Sequence, residues 1–313
     1  MSAGRLESAV AACLQRHVAT GDRLLVGLSG GVDSVCLLHV LSKQVPAGCL
    51  AALHVHHGLS PNADAWAQFA ADFCRALAIP FSCHQVSVER GSDDGLEAAA
   101  RRARHTVFAQ AEADWVLLGH HRDDQAETMV FNLLRGSGLT GAAGMQARSG
   151  RLLRPLLDIG REDVVAYAAQ HGLTWCEDES NADTYYSRNF LRQQVFPLLH
   201  GRWPATSRNL AQAAGRFAEA ASLLDELARI DLGALENFPV PVSLLQSVSE
   251  PRGRNLLRYL LALNAVRIPG ESRLREALRQ LIDAAPDRHP AVTFGAHQLV
   301  RRKGQIYLDA ASS

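Results

Sequence analysis

With 313 residues, 47% of them hydrophobic and 20% charged, the chain has the composition of an ordinary globular protein and the length for two domains. Its 32 basic and 32 acidic residues cancel, so net charge by itself names no partner. No apolar run reaches the ~20 residues that cross a bilayer, and Met1–Val10 lacks the apolar core of a signal peptide, so the reading is a cytoplasmic protein with no membrane contact.

In chain order, Arg23–Leu28 reads as a buried strand, followed by a glycine turn and a helix from Asp33 to Lys43. Cys49–Val55 is a second strand, with a helix after Pro61 to Ala78. Phe81–Val88 and Trp115–Gly119 are further strands, followed by helices over Leu96–Glu112 and Asp123–Leu134. Strict strand–helix alternation predicts an α/β fold with a doubly wound parallel sheet, whose ligands bind at the carboxyl ends of the strands. From Arg188 the alternation stops. Ala205–Ile230, Pro251–Ala265 and Glu271–Ala284 read as helices, and Pro290–Leu308 as a small hairpin around Gly295 and Gly304. The expected division is therefore 1–200 and a smaller, mostly helical 201–313.

Charge follows that division. Residues 1–185 hold 15 Lys+Arg against 21 Asp+Glu, and residues 186–313 hold 17 against 11. Lys43 and Lys303 are the only lysines; every other basic residue is arginine, whose fork suits phosphate. A basic second half is compatible with a polyanion, and equally with solvated helix faces. The six cysteines form no C-x-x-C pair, which argues against a zinc ribbon, a cluster or a redox dithiol.

The strongest chemical signal is Ser29-Gly30-Gly31-Val32-Asp33-Ser34, between a strand and a helix. Paired glycines let the backbone approach a ligand, and the amides of a helix start make an anion site. An acid inside a phosphate cradle is repulsive without a divalent cation, so Asp33 implies Mg²⁺. A second cluster follows the fourth strand. There His120, Asp123, Asp124 and Glu127 stand three or four apart, as on one face of a helix start, and offer a surface for a metal or an ammonium group. Leu96–His105 is a strong helix former with Arg101 and Arg104 on one side. Arg135–Gly141 is a glycine-rich loop that reads as a second phosphate nest or as a plain turn. Glu177–Arg192 packs acids, amides and arginines, including Tyr186, Arg188, Asn189 and Arg192, too densely for a connector.

The S-G-G-V-D-S loop resembles the PP-loop of the ATP pyrophosphatases. Together with H-V-H-H-G-L-S (54–60), L-E-A-A-A-R-x-A-R (96–104), G-H-H-R-D-D-Q-A-E-T (119–128) and D-x-S-N-x-D-x-x-Y-x-R-N-x-L-R (178–192), it resembles the tRNA(Ile)-lysidine synthase family over Arg23–Leu199. Where the helix motif of that family ends in tyrosine, this chain has His105. The resemblance implies a PP-loop fold of the adenine nucleotide alpha hydrolase type and adenylation of the wobble cytidine of tRNA(Ile) with a CAU anticodon. Free L-lysine would then replace AMP. It implies ATP at Ser29, Gly30, Gly31, Val32, Asp33 and Ser34, with Mg²⁺ at Asp33. His120 and Arg104 or Arg101 would sit at the α-phosphate, and Asp123, Asp124 or Glu127 at the lysine. The RNA would meet Arg101, Tyr186, Arg188, Asn189 and Arg192. A homodimer is compatible with it. The alternatives are a tRNA thiolase of the same superfamily, for which the cysteines are poorly placed, and an ATP-binding protein without turnover.

Overall fold

The computed structural model describes residues 2–88, 96–177, 187–285 and 288–311. Its elements begin with α1 (Ser2–His17), β1 (Leu24–Gly27), α2 (Val32–Gln44), β2 (Leu50–His56), α3 (Ala63–Ala76) and β3 (Phe81–Gln85). After them come α4 (Leu96–Gln110), β4 (Trp115–Leu117), α5 (Arg122–Leu134), α6 (Leu139–Ala142), β5 (Arg148–Ser149), β6 (Leu152–Leu153) and α7 (Arg161–Gln170). The sheet order is β3-β2-β1-β4-β6-β5, parallel throughout except for β5 against β6. The expected α/β sheet is present, and β1 lies between β2 and β4, where the strand order reverses. That reversal opens a crevice at the carboxyl end of β1.

Alternation along the strands sorts the core into two layers. Leu24, Val26, Leu50, Ala52 and Leu117 face a core shared with α1, α2, α3 and α7. Leu25, Leu53, Val55 and Val116 face Phe108 of α4. Arg151 closes α4 from below, donating from Nη1 to the Ala111 and Ala113 carbonyls at 2.9 Å and from Nη2 to Ala109 at 2.6 Å. The Ala109 carbonyl is one that a helix end leaves without an intrahelical partner.

Two helices of this core, α1 and α7, stand where the sequence reading placed none. Each buries a narrow stripe: Leu6 and Val10 on α1, Val164, Tyr167 and Ala168 on α7. His39 of α2 lies against them, its Nδ1 2.9 Å from the Tyr167 hydroxyl and its ring 5.0 Å from His171. Burial, with Lys43 and His171 adding like charge, lowers the His39 pKa to about 4. Unfolded histidine titrates near ~6.5, so between those values the unfolded chain binds the extra proton. Stability is fully present above ~6.5 and is lost as pH falls toward 4. The urea midpoint should fall between pH 7 and pH 5, and less steeply in His39→Gln; equal falls would remove His39 from the account.

The chain divides into two units, Met1–Ala218 and Glu219–Ser313. Past β6 and α7, the first contains α8 (Ser187–Phe190), a π-helical turn (Leu191–Val195), α9 (Phe196–Arg202) and the start of α10 (Thr206–Leu232). The second holds β7 (Val240–Pro241), α11 (Val242–Ser247), α12 (Glu250–Leu263), α13 (Glu271–Asp283), β8 (Ala291–Phe294), β9 (His297–Arg302) and β10 (Gln305–Ala310). Its antiparallel sheet, ordered β7-β10-β9-β8, is larger than the single hairpin expected. Gly295 (φ +60°) and Gly304 (φ +74°) each close a two-residue turn, so that stretch makes two hairpins in series. Leu274, Leu278 and Leu281 of α13 pack with Leu256, Leu257, Leu260 and Leu261 of α12 against Leu299 and Ile306. Arg301 closes α13 as Arg151 closes α4, donating to the Leu281 and Ala284 carbonyls at 3.0 and 2.8 Å.

Candidate active site

The loop after β1 is held open by its own side chains. Gly30 takes φ +91°, a conformation that costs a residue with a Cβ. The Ser34 hydroxyl donates to the Gly31 carbonyl at 3.0 Å and accepts from the Ser29 amide at 3.2 Å. The Ser29 hydroxyl lies 3.1 Å from that of Ser34 and accepts from the Gly31 amide at 3.3 Å. Gly31 is the N-cap of α2 and no side chain caps it, which leaves the first amides of a 13-residue helix directed at the crevice. Cys176 rests on this loop, its amide donating to the Gly30 carbonyl at 2.9 Å.

The carboxyl end of β4 meets the same loop. A Cβ on Gly119 would lie 2.9 Å from the Asp33 backbone carbon and 3.0 Å from the Ser34 nitrogen, so only glycine lets the two loops touch. The helix that follows starts one residue earlier than expected. His121, not an acid, is the N-cap of α5: its Nδ1 accepts from the amides of Asp123 and Asp124, and the Asp124 carboxylate accepts from the His121 amide. His120 therefore precedes the helix rather than sharing a face with Asp123. With Nδ1 accepting, the proton of the His121 ring sits on Nε2, which lies 3.6 Å from Asp33 Oδ1 and 3.5 Å from Asp124 Oδ2. His121 is 2% exposed and bridges the two acidic sites. The sequence reading gave it no role; its signal was the capping-box spacing to Asp124.

The acids of α5 separate by environment. Asp123 Oδ2 accepts from the Arg161 amide at 3.0 Å, tying α5 to the start of α7. Burial raises the Asp123 carboxyl, but the Ser207 and Arg161 hydrogen bonds outweigh it and the net shift is downward. For Asp124 burial is likewise overcome, with the hydrogen bond from the His121 amide and the Arg192 charge among the causes, and the carboxyl is lowered. Glu127 is raised, because burial outweighs the Arg192 contact. Arg192, expected at the RNA, has its fork on these acids: Nε and Nη2 reach the two Glu127 oxygens at 2.7 Å each, and Nη2 reaches Asp124 Oδ1 at 3.0 Å. Burial opposes the Arg192 charge, but Glu127, Asp124 and Asp33 raise its pKa on balance. The bidentate geometry is that of an ionised pair, and we read Glu127 as a carboxylate. Arg188 also leans on α5, donating to the Thr128 hydroxyl at 2.7 Å. Asn189 lies beside it on α8. Tyr186 falls outside the described residues, as do 178–185 and the side chain of Glu97.

On the other side stand cations. Arg101 and Arg104 of α4 act on both His120 and His105, and Arg104 also on His57. Burial first, then these charges, keeps His120 neutral, and its Nδ1 is buried without a hydrogen-bond partner. In the H-V-H-H stretch, His54 Nδ1 donates to the Leu28 carbonyl at 2.8 Å and His56 Nε2 lies 3.0 Å from Asp64. These histidines hold the strand ends that carry the loop. The Arg135–Gly141 turn is closed by Asn132 on the Gly141 carbonyl at 2.7 Å.

Asp33 Oδ1 is buried without a hydrogen-bond partner, and burial pushes the carboxyl above its usual range. An acid so placed fits a divalent cation that arrives with phosphate. Among the described residues no three His, Cys, Asp or Glu converge as a metal-binding group.

Residues 4–199 match the family model described as a PP-loop domain, and residues 241–307 that of a TilS substrate binding domain. A tRNA(Ile)-lysidine synthase from Alkalilimnicola ehrlichii is 43% identical over 94% of this chain and 69% of its own length. The chain belongs to the tRNA(Ile)-lysidine synthase family. Members from Nitrosomonas europaea and Azoarcus sp. are 45% and 46% identical over 88% and 93% of the chain, which spans 62% and 66% of their lengths. Among solved structures, the U34-tRNA thiolase NcsA from Methanococcus maripaludis with its [4Fe-4S] cluster matches with a TM-score of 0.58 at 19% identity. It covers 69% of this chain and 79% of its own. At that identity the likeness is one of fold. All six cysteines here are free. No helix among the described residues is long and apolar enough to cross a membrane.

Proposed function

We propose that this chain is an ATP-dependent ligase that joins lysine to C2 of the wobble cytidine of tRNA(Ile) with a CAU anticodon, forming lysidine through an adenylated tRNA. The observation that carries the reading, in a chain of this family, is that His121 Nε2 stands 3.6 Å from Asp33 of the nucleotide loop and 3.5 Å from Asp124 of the acid cluster. It brings a phosphate-binding loop and an ammonium-binding surface into one site. Residues 1–200 would supply the chemistry and 201–313 the grip on the RNA.

In the first step the cytosine O2 attacks the α-phosphate of ATP and pyrophosphate leaves. The amides of Val32, Asp33 and Ser34 hold the phosphates, and Arg101 and Arg104 stabilise charge on the α-phosphate. Mg²⁺ at Asp33 would offset charge on the departing pyrophosphate. His120, kept neutral, offers a hydrogen-bonding nitrogen without adding charge. In the second step the lysine ε-amine attacks C2 and AMP leaves. A free lysine amine, pKa near ~10.4, must first lose its proton. Glu127, whose pKa is raised where that of Asp123 is lowered, is the candidate base, and one of its two oxygens must leave Arg192 to take the proton.

Protein incubated with Mg-ATP, labelled lysine and the CAU-anticodon transcript should give acid-precipitable label that disappears when the wobble base is uridine. Pyrophosphate release without label would keep adenylation and discard lysine as the nucleophile. Arg188→Ala should weaken binding of that transcript while leaving the KM for ATP unchanged. Unchanged transcript affinity would remove Arg188 from the RNA surface.

A further inference from the structure

Arg154 directly follows β6, on the edge of the sheet where Ser29 and His120 stand beyond β1 and β4. It is 6% exposed. Its Nη1 donates to the Gln146 carbonyl at 2.7 Å, and its buried Nε has no hydrogen-bond partner. Among the described residues no carboxylate pairs with it. The charge it meets is Arg101, of its own sign, and burial together with that repulsion lowers its pKa. Arg154 in turn acts on His120 and His105 beside Arg101 and Arg104.

The position is built rather than accidental. Gln125 of α5, 5% exposed, donates to the Ala143 and Met145 carbonyls at 3.2 and 3.0 Å and accepts from the Met145 amide at 2.7 Å. That pins the loop whose Gln146 carbonyl holds Arg154. Holding one carbonyl needs a neutral donor only; a buried cation among cations is destabilising unless an anion joins it. The guanidinium fork matches phosphate oxygens in pairs.

We propose that Arg154 completes, with Arg101, Arg104 and His120, a phosphate subsite at the carboxyl ends of β4 and β6. The identity of the phosphate rests on the ligase reading: it belongs either to ATP or to the RNA backbone beside the target base. The guanidinium is there for the ligand and not for the fold.

Three ligands test this on the whole chain and on Arg154→Met: inorganic pyrophosphate and ATP by calorimetric titration, and the transcript by filter binding across a salt series. The ligand-free Met variant should melt at or above the native temperature, since a buried unpaired charge has gone. If the phosphate is the nucleotide's, affinity for ATP and pyrophosphate falls at least ~10-fold while the transcript binds as before. If it is the RNA's, the transcript binds more weakly and its log–log salt slope shrinks by about 0.7–0.9. Arg154→Lys, which keeps the charge but loses the fork, should regain part of the affinity. Native affinities for all three ligands in Arg154→Met would overturn the proposal. So would a lowered melting temperature in both variants with no recovery by lysine. A native chain that binds pyrophosphate but forms no lysidine would remove the ligase reading and leave these titrations to decide the subsite.

Discussion

Asp33→Asn is expected to lower ATP-dependent pyrophosphate release by on the order of 10²–10³-fold, the usual loss when one preorganised electrostatic contact to a transition state goes. The side chain keeps its shape, and the loop does not depend on its charge: Ser29, Ser34 and Gly31 hold one another. What disappears is the negative charge of a carboxylate whose Oδ1 is buried without a hydrogen-bond partner, 3.6 Å from His121 Nε2. Because burial raises the native carboxyl's pKa, ionised Asp33 opposes folding near neutral pH, so the asparagine variant should melt no lower than the native chain. A lost rate with retained stability is the expected pair of results. A native rate of pyrophosphate release in Asp33→Asn would take the cation and this residue out of the first step.

Arg192→Met acts on stability instead. Glu127 keeps 8% of its side-chain surface and Arg192 keeps 39%. Removing the arginine leaves a buried carboxylate without its bidentate partner, a change that costs about 3–5 kcal/mol when both groups are fully buried. With Arg192 part-exposed, water screens some of that, and the expectation is about 2–3 kcal/mol. It should appear as a lower urea midpoint with an unchanged slope. Adding Glu127→Leu to Arg192→Met should recover part of the loss, since Glu127 is then no longer stranded while Asp124 still lacks its Arg192 contact. A double variant no more stable than the single would mean that Arg192 holds the π-helical turn against α5 by packing alone.

Long, strongly patterned elements were legible in the sequence, and so was the place where their loops converge. β1, β2 and β4 alternate with amphipathic helices, and the strand that ends in S-G-G-V-D-S ends at the crevice. The short pieces were not legible. β5, β6 and β7 have two residues each, too few for any period, and exist because a neighbouring strand edge needs partners. α1 and α7 went unread because each shows only a thin apolar stripe whose partner is the other helix. Within the site, acids and glycines announced themselves by type. His121, Gln125 and Arg154 did not, because a histidine cap, a buried amide and an unpaired arginine acquire meaning only from what surrounds them. The contact of Arg192 with Glu127 was illegible for the same reason: by type and position an arginine there reads as a phosphate ligand, and only the structure puts its fork on an acid.

The cations around the crevice, Arg101, Arg104, Arg154 and Arg192, are all arginine. Of the two lysines, Lys43 stands in the last turn of α2, with its ammonium 5.8 Å from the Tyr167 ring centre, and Lys303 in the turn between β9 and β10 of the second unit. A guanidinium stays protonated at any pH at which the protein is folded, so it has no lone pair to offer an electrophile. Under the proposed reaction, an activated cytidine in this crevice would therefore meet cations that are all guanidinium groups and offer it no nucleophilic nitrogen. If the proposed ligase reaction holds, anionic substrates would be attracted by groups that cannot compete for the activated base, and selectivity for a free amine would follow from the choice of arginine over lysine.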